Sequence, residues 1–303
     1  MSRIPFFKYH GLGNDFVIID RIAGGSPVDP AGARAMCDRN RGIGADGVLT
    51  LLPSNRASLK MHIRNADGSI AEMCGNGIRC AAKYAIERSS AGKTTGAQAG
   101  SILDSMGFKS PAGFETTALD IETGRGVLTC AVMIKSGKVV SVAVNMGAPI
   151  LERPDIPMQG EGRFLRENIK ALGKTFKGSA ISMGNPHLVL FHTDNLDDAK
   201  KYGPVLENSI LFPKRTNVEF AADVSKSEIN VVVWERGCGI TQACGTGACA
   251  TAVAFTLAGI TPFDKEITVN LPGGSLGIVV PTDLSAVYMR GPAQEVFSGT
   301  WPE

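Results

Sequence analysis

The sequence lacks the features that mark a nucleic-acid-binding or membrane-embedded protein. Its 31 basic and 29 acidic residues leave a net charge of only +2, which gives no general attraction to nucleic acid or to a membrane surface. The longest weakly polar run, residues 248–260, is too short to span a bilayer and contains threonines. We interpret this run as a buried helix, and we expect neither nucleic-acid nor membrane partners.

Paired cysteines are also missing. The seven cysteines are an odd number and include no C-x-x-C spacing, which disfavours both a disulfide scaffold and a zinc ribbon. The first residues carry no apolar run of the kind found in signal peptides, so we expect none. Together these absences predict a reducing, cytoplasmic setting.

What the sequence does contain is one motif in two copies. Residues 72–79 read EMCGNGIR and residues 242–249 read QACGTGAC, so each copy has a cysteine followed by Gly-x-Gly. Glycines let backbone N–H groups approach one point, and a helix that begins there adds the positive end of its dipole. We therefore expect Cys74 and Cys244 to ionise more easily than a free thiol, whose pKa is about 8.5. Two such thiols suggest two bases, or one base and one acid.

The repeat extends beyond the cysteine motif. A Gly-Asn pair precedes each copy, with Asn14 60 residues before Cys74 and Asn185 59 residues before Cys244. The two halves also end on similar pentapeptides, NMGAP and MRGPA. Similar segments in the same order at similar spacing predict two halves of one fold, related by an approximate two-fold axis. Such an axis would put the two thiols on opposite walls of a cleft between the halves.

Many short strands and few long helices predict an α+β protein with mostly antiparallel sheet. We predict two domains, 1–147 together with 290–303, and 148–289, carrying Cys74 and Cys244 respectively. The segment 89–101 is rich in Ser, Gly, Ala and Thr and predicts a mobile surface loop. The polar segment 154–177 is expected to be partly helical.

The two cysteine motifs, together with Gly-Asn-Asp-Phe at 13–16, Gly-Asn-Pro-His at 184–187 and Glu-Arg at 235–236, resemble the diaminopimelate epimerase family. The resemblance runs from Phe6 to about Phe297, and it is specific because the motifs occur together in this order. It implies two pseudo-symmetric domains, each a mixed or mostly antiparallel sheet wrapped around a central helix. It also implies an isomerase that uses neither pyridoxal phosphate nor a metal and that forms a homodimer.

The same resemblance implies a reaction and a set of residues. The reaction would interconvert LL- and meso-2,6-diaminopimelate, in lysine and peptidoglycan precursor biosynthesis. Cys74 and Cys244 would be the catalytic pair, with Cys244 the base and Cys74 the acid in the LL-to-meso direction. His187 and Glu235 would tune the two thiols, and Tyr288 would lie at the dimer contact. The positions that match substrate-binding residues are Asn14, Asn65, Gly75, Asn76, Asn185, Asn217, Glu235, Arg236, Gly245 and Thr246.

Two features depart from the family pattern. Some members carry Gln after the Asp of the glycine-rich loop at 41–47, where this chain has Gly47, which removes one polar contact from the expected binding network. The region 89–118 is also longer than the resemblance leads us to expect.

Four other functions fit part of the pattern. A racemase of the same fold for proline, hydroxyproline or histidine would use the cysteine pair, although proline-type enzymes tend to have His where Asn76 stands. A phenazine-pathway-type isomerase would share the fold without the cysteine pair. A redox protein with a Cys74–Cys244 disulfide would lack the usual C-x-x-C motif. An amino-acid-binding protein without catalysis would not need the two thiols.

Overall fold

The chain folds as two compact units. The computed structural model describes residues 3–89, 94–95 and 97–302. One unit is formed by Met1–Val144 and Arg290–Glu303, and the other by Asn145–Met289.

The helices and strands follow the chain in this order. The first unit contains β1 (Arg3–Gly11), β2 (Asn14–Asp20), α1 (Pro30–Cys37), β3 (Gly47–Leu52), β4 (Leu59–Asn65), β5 (Ile70–Ala71), α2 (Gly75–Arg88), β6 (Thr94–Thr95), α3 (Ala97–Ser105), β7 (Glu115–Thr123), β8 (Gly126–Lys135) and β9 (Lys138–Asn145). The second contains a 3-10 turn (Arg153–Asp155), β10 (Glu167–Ala171), β11 (Lys174–Ser182), β12 (Pro186–Phe191), α4 (Leu196–Glu207), β13 (Asn217–Ser225), β14 (Glu228–Glu235), β15 (Gly239–Thr241), α5 (Gly245–Leu257), β16 (Glu266–Leu271) and β17 (Gly274–Val279). Then β18 (Tyr288–Gly291) crosses the boundary, and β19 (Gln294–Pro302) belongs to the first unit.

The first unit is a mixed sheet around α2. Strand β1 pairs antiparallel with β19 and β2, β2 runs parallel to β3, and β3 is antiparallel to β4. Strand β4 then runs parallel to β7, which continues through antiparallel β8 and β9. Helix α2 packs against β1, β2, β3, β7 and β8, and its residues are buried from Gly75 to Ala85.

The second unit repeats this order around α5. Strands β10, β11 and β12 are antiparallel, β12 runs parallel to β13, and β13 is antiparallel to β14. Strand β14 runs parallel to β16, which is antiparallel to β17. The series β11-β12-β13-β14-β16-β17 therefore matches β1-β2-β3-β4-β7-β8, including both parallel pairs. The predicted fold class, two similar α+β halves each built around a central helix, is confirmed.

Side chains of the interior strands point alternately to the two faces of each sheet, and both faces are buried. In β2, Val17 and Ile19 pack in a cluster with Met36 of α1, while Phe16 lies near Gly77 of α2. Because successive side chains in a strand point to opposite faces, α1 and α2 cover opposite sides of the sheet. Burial on both faces explains why the interior strands are nearly continuous apolar runs.

The second unit uses the same layers. Helix α4 contributes Tyr202 and Leu206 to a core cluster with Phe176 and Phe220 of the sheet. Helix α5, on the other side, is buried from Ala248 to Thr256 and apolar around its whole circumference, as expected for a central helix. The interpretation of the run at 248–260 as a buried helix is thus confirmed up to Leu257, where α5 ends.

The loop predicted for residues 89–101 was partly wrong. Residues 97–101 lie in α3, which packs against β7 and β8 through buried residues that include Ala99 and Leu103. Contact with the sheet favours a helix where the small-residue composition alone suggested a loop. Residues 90–93 and 96, also part of that prediction, lie outside the described residues.

The helix predicted within 154–177 was mostly wrong as well. The helical part is the short 3-10 turn Arg153–Asp155, and the end of the segment enters the β10–β11 hairpin. Ile169, Ala171 and Phe176 are buried while Lys170 and Lys177 are exposed. This alternation has the period of a strand, and the many polar residues of the segment concealed it in the sequence.

Candidate active site

The two motif cysteines each cap the start of a central helix. The sulfur of Cys74 accepts a hydrogen bond from the backbone N–H of Gly77, and that of Cys244 accepts one from Gly247, both at 3.4 Å. Both cysteines have the extended backbone conformation that is typical of an N-cap. Each unit therefore places a thiol at the positive end of its helix dipole.

The last glycine of each motif packs closely against a side chain of the neighbouring sheet. A Cβ on Gly77 would lie 3.3 Å from Leu49 and 3.4 Å from the Cβ of Cys74. A Cβ on Gly247 would lie only 2.8 Å from a carboxylate oxygen of Glu219. A side chain at position 247 would therefore displace Glu219, whereas one at position 77 would press on Leu49.

Cys74 is half-buried and is held by Asn14. Its Sγ donates to Asn14 Oδ1 at 3.7 Å, and Asn76 Nδ2 donates to the same oxygen at 3.1 Å. Asn14 is itself oriented by Asp46, whose carboxylate accepts from Asn14 Nδ2 at 2.7 Å. The structure thus brings together three predicted residues and adds Asp46, which the sequence analysis did not identify.

Asn76 is buried and is oriented from within its own helix. Arg79, one turn further along α2 and fully buried, donates to Asn76 Oδ1 at 2.9 Å and to the Gly75 carbonyl at 3.1 Å. It also donates to the Pro292 carbonyl at 3.1 Å. The guanidinium therefore fixes which way the Asn76 amide faces and leaves its nitrogen for Asn14. The i, i+3 spacing of Asn76 and Arg79 was the available sequence signal.

Cys244 is more buried than Cys74, with 7% of its surface exposed. Burial raises the pKa of the Cys244 thiol well above its ordinary value, and the charges of Glu235 and Glu219 raise it further. Hydrogen bonds from Thr246 and from the Gly247 N–H act in the opposite direction. The expectation that Cys244 ionises easily was therefore wrong, because loss of hydration outweighs the helix N-terminus.

His187 is fully buried, and both of its ring nitrogens have partners. Nδ1 lies 2.7 Å from Glu219 Oε1, and Nε2 lies 3.1 Å from Asn185 Oδ1. The predicted residues His187 and Asn185 are therefore in contact. Glu219 was missed, although a carboxylate inside the apolar strand VEFAA at 218–222 was a visible signal, since such residues are rarely buried unless paired.

Asn217 is buried, and it connects two segments that carry predicted residues. Its Oδ1 accepts from the backbone N–H of Arg236 at 2.9 Å, and its Nδ2 donates to the Pro186 carbonyl at 2.8 Å. Arg236 is half-buried, and its Nη1 donates to the Lys214 carbonyl at 3.0 Å. Asn217 therefore holds the backbone of the site, while most of the Arg236 guanidinium donors make no hydrogen bond within the described part of the chain and remain for other partners.

The turn that follows Glu235 is anchored by a residue that the sequence analysis did not identify. Glu207, at the end of α4 and 5% exposed, accepts from the Trp234 ring nitrogen at 2.7 Å and from the Gly237 N–H at 2.9 Å. Glu235 itself is half-buried. The orientation of Glu235 and Arg236 therefore depends on a carboxylate about 30 residues earlier in the chain.

Asn65 and Gly47 lie opposite each other in neighbouring strands. Asn65 is exposed at a turn, where its Nδ2 donates to Ser69 Oγ at 2.9 Å. A Cβ on Gly47 would lie 2.7 Å from the Arg64 carbonyl oxygen. With this backbone a larger residue at 47 would need the strands to move, which gives a physical reason for glycine there.

The remaining predicted positions are at helix and strand starts. Gly75 and Asn76 are the first residues of α2, and Gly245 and Thr246 are the first residues of α5. The first N–H groups of a helix have no partner within the helix and suit a carboxylate ligand. Tyr288 is half-buried at the start of β18.

The described part of the chain contains no group of three or more His, Cys, Asp or Glu residues that could hold a metal ion. Among the same residues, no helix is both long enough and apolar enough to cross a membrane.

Several solved structures share this fold. A hydroxyproline epimerase from Agrobacterium vitis aligns with a TM-score of 0.66, covering 99% of this chain and 91% of that chain at 14% identity. A phenazine biosynthesis protein of the PhzF family from Bacillus anthracis aligns with a TM-score of 0.63, covering both chains fully at 15% identity. At such low identity these similarities show the fold alone.

Sequence comparison is more specific. The family model described as diaminopimelate epimerase matches residues 6–152 and 179–296. A diaminopimelate epimerase from Desulforudis audaxviator is 47% identical, covering 98% of this chain and 99% of that protein. Diaminopimelate epimerases from Moorella thermoacetica and Bacillus cereus are 45% and 41% identical, covering 98% and 99% of this chain and 99% and 98% of those proteins. This chain therefore belongs to the diaminopimelate epimerase family.

Proposed function

We propose that the protein interconverts LL- and meso-2,6-diaminopimelate, without cofactor or metal, in lysine and peptidoglycan precursor biosynthesis. Cys74 and Cys244 are the proposed acid–base pair. The observation that carries the proposal is that each thiol caps the central helix of its unit and accepts from the equivalent glycine N–H. We infer the identity of the substrate from the family to which the chain belongs.

The proposed chemistry needs one base and one acid. One sulfur removes the α-proton as a thiolate, and the other returns a proton to the opposite face of the carbon as a thiol. The carbanion between these steps is stabilised when its carboxylate meets backbone N–H groups at a helix start, for which Gly75, Asn76, Gly245 and Thr246 are the candidates. The high pKa of Cys244 suits its acid role in the meso-to-LL direction. Giving up that proton makes Cys244 the base for LL-to-meso turnover.

The proposed substrate contacts are polar side chains. Asn14, Asn65, Asn185, Asn217 and Glu235 supply polar groups for the ammonium and carboxylate groups of the substrate. Arg236 grips a carboxylate with two parallel hydrogen bonds, which a guanidinium does best. With this many polar groups, the site also contacts the substituents of the distant, non-reacting α-carbon of the substrate. It therefore requires the L configuration at that carbon.

The assembly and location are proposals of the same kind. We place Tyr288 at the contact of a homodimer, on the basis of the family resemblance. A reducing, cytoplasmic setting is proposed because the acid–base pair needs both thiols in the reduced state.

The test is solvent-deuterium incorporation. In D₂O, LL- and meso-diaminopimelate should each gain one deuterium at the reacting α-carbon in each turnover. The DD isomer, lysine, proline and histidine should gain none. Comparable turnover of proline or histidine would instead identify a racemase for a simple amino acid. Loss of activity after dialysis against a chelator, with recovery on adding metal, would contradict the metal-free mechanism.

A further inference from the structure

Glu219 is a buried carboxylate that the proposed mechanism does not use. It lies in β13 with none of its side chain exposed. Oε1 pairs with His187 Nδ1 at 2.7 Å, while Oε2 has no hydrogen-bond partner among the described residues. Burying a carboxylate that is only partly satisfied costs free energy, so its presence calls for a reason.

The matching position in the first unit shows that the fold does not require this pair. His187 and Asn217 open the parallel pairing of β12 with β13, just as Phe16 and Gly47 open that of β2 with β3. Glu219 lies two residues after Asn217 in β13, and Leu49 lies two residues after Gly47 in β3. Glu219 and Leu49 therefore occupy matching positions. The buried pair His187–Glu219 thus replaces an apolar Phe16–Leu49 pair.

The His187–Glu219 pair lies close to the thiol of Cys244. A Cβ on Gly247 would lie 2.8 Å from Glu219 Oε1 and 3.3 Å from Cys244 Sγ. The oxygen and the sulfur are therefore no more than about 6 Å apart, a range over which like charges shift titration. In the first unit, a Cβ on the matching Gly77 would lie nearest to the side chains of Leu49, Cys74 and Phe16, none of which is a carboxylate.

Glu219 also determines how His187 is used. A carboxylate beside Nδ1 makes that nitrogen the donor, which fixes the ring in one orientation. Nε2 then faces Asn185, one of the proposed substrate ligands. Hydrogen bonds therefore connect the Glu219 carboxylate to the His187 ring, and the His187 ring to the Asn185 side chain.

We propose that Glu219 is a positioning residue of the epimerase reaction, which fixes His187 against Asn185 and keeps Cys244 as the protonated thiol between turnovers. This inference rests on the proposed function, because it assumes that Cys244 exchanges a proton with substrate. The free enzyme then holds Cys244 ready as an acid. Among the described residues, the other charged group acting on Cys244 is Glu235 of β14, which acts in the same direction, while the Thr246 hydroxyl and the Gly247 N–H of α5 act against it. The titratable ring of His187 in β12 faces the same region and is bonded to Glu219.

The test measures alkylation of Cys244 without using substrate. Glu219→Gln keeps the shape of the side chain and removes its charge. The rate of Cys244 carbamidomethylation by iodoacetamide is followed from pH 6 to 10 by peptide mass spectrometry. A Cys238→Ser background removes the exposed cysteine nearby, and Cys249 is fully buried. The midpoint should move to lower pH, and the rate at pH 8 should rise about three- to tenfold, as expected for removal of one nearby like charge.

Two further variants make the result specific. Glu228→Gln applies the same substitution at the far end of the neighbouring strand β14, and it should leave the alkylation profile unchanged. If Glu219→Gln does not fold, the double variant His187→Phe/Glu219→Leu installs the pair that the first unit already accommodates, and it should shift the midpoint in the same direction.

The activity of the same proteins gives a second readout. The pH profile of kcat for Glu219→Gln should shift toward acid, while Glu219→Asp, which keeps the charge, should retain the parent profile. A folded Glu219→Gln protein with the parent alkylation midpoint would overturn the proposal. A parent enzyme that does not epimerise diaminopimelate would overturn the proposed function instead, and the alkylation comparison would still stand.

Discussion

Asn217 joins the backbones of Arg236 and Pro186 through one buried amide, accepting from the Arg236 N–H at 2.9 Å and donating to the Pro186 carbonyl at 2.8 Å. These bonds hold together the starts of two segments that carry Asn185, His187 and Arg236. Asn217 therefore has a structural role in the site, in addition to its proposed contact with the substrate.

Replacing this amide should affect stability as well as activity. Asn217→Ala should lower the free energy of unfolding by about 1–3 kcal/mol for each buried group left without its partner. Urea unfolding followed by circular dichroism measures the loss. Asn208→Ala is the control, because Asn208 is exposed and should cost much less. Equal effects of the two substitutions would argue against the structural role.

Removing either thiol should stop epimerisation. Cys74→Ala and Cys244→Ala should each lower kcat by at least about 10²–10⁴-fold, because each removes the acid–base group on one face of the carbon. Conversion between LL- and meso-diaminopimelate, followed by chiral chromatography, gives the rates. Cys238→Ala, which removes an exposed cysteine, should retain parent activity. Near-parent turnover by either helix-cap variant would refute the two-base mechanism.

Asp15 should make stability depend on pH in the acid range. Burial raises its pKa, but hydrogen bonds from Arg39 and Lys8 outweigh burial and hold the pKa well below its usual range. A lowered folded-state pKa contributes stability that is present above the unfolded-state value and is lost as pH falls toward the folded-state one.

The corresponding experiment compares Asp15→Asn with the parent across pH. Asp15→Asn should therefore lower the Tm at pH 7, and the difference from the parent should shrink steadily below about pH 4. Differential scanning calorimetry at several pH values measures it. A difference that stays constant down to pH 2 would show that the charge of Asp15 is not the cause.

The guanidinium of Arg236 should matter for its shape as well as its charge. Arg236→Lys should reduce kcat/KM sharply, by about 10-fold or more, because an ammonium cannot make two parallel hydrogen bonds to one carboxylate. Steady-state kinetics with meso-diaminopimelate measures the effect. Arg215→Lys, at a nearby arginine that is 54% exposed, is the matched control and should change little. An unchanged kcat/KM for Arg236→Lys would exclude the carboxylate clamp.

The proposed homodimer can be tested directly. At micromolar concentration, light scattering should give twice the chain mass of 31.9 kDa. Tyr288→Ala should shift the mass toward that of the monomer, because it removes the ring proposed to lie at the contact. A parent protein that is monomeric under these conditions would remove the proposal.

The repeat made the fold predictable, whereas the environment of each thiol was less so. Matching glycines and asparagines fix where strands end and helices begin, and these are local signals. The pKa of Cys244 is raised by burial and by the charges of Glu235 and Glu219, which lie in the paired strands β14 and β13. Asp46 likewise meets Asn14 across 32 residues of sequence. Such contacts have no periodicity along the chain, so the sequence analysis identified Glu235 through its motif but not Glu219 or Asp46.

The pairing of β1 with β19 has a consequence for how the protein is made. The strand that completes one edge of the first sheet is synthesised after the whole of the second unit, whose residues 145–289 are continuous in sequence. On the ribosome, the second unit can therefore close while the first still exposes the edge of β1. Vectorial synthesis would then reverse the usual order, in which the amino-terminal domain matures first. A ribosome-bound chain stalled before β19 emerges should be cut by protease first within residues 3–144.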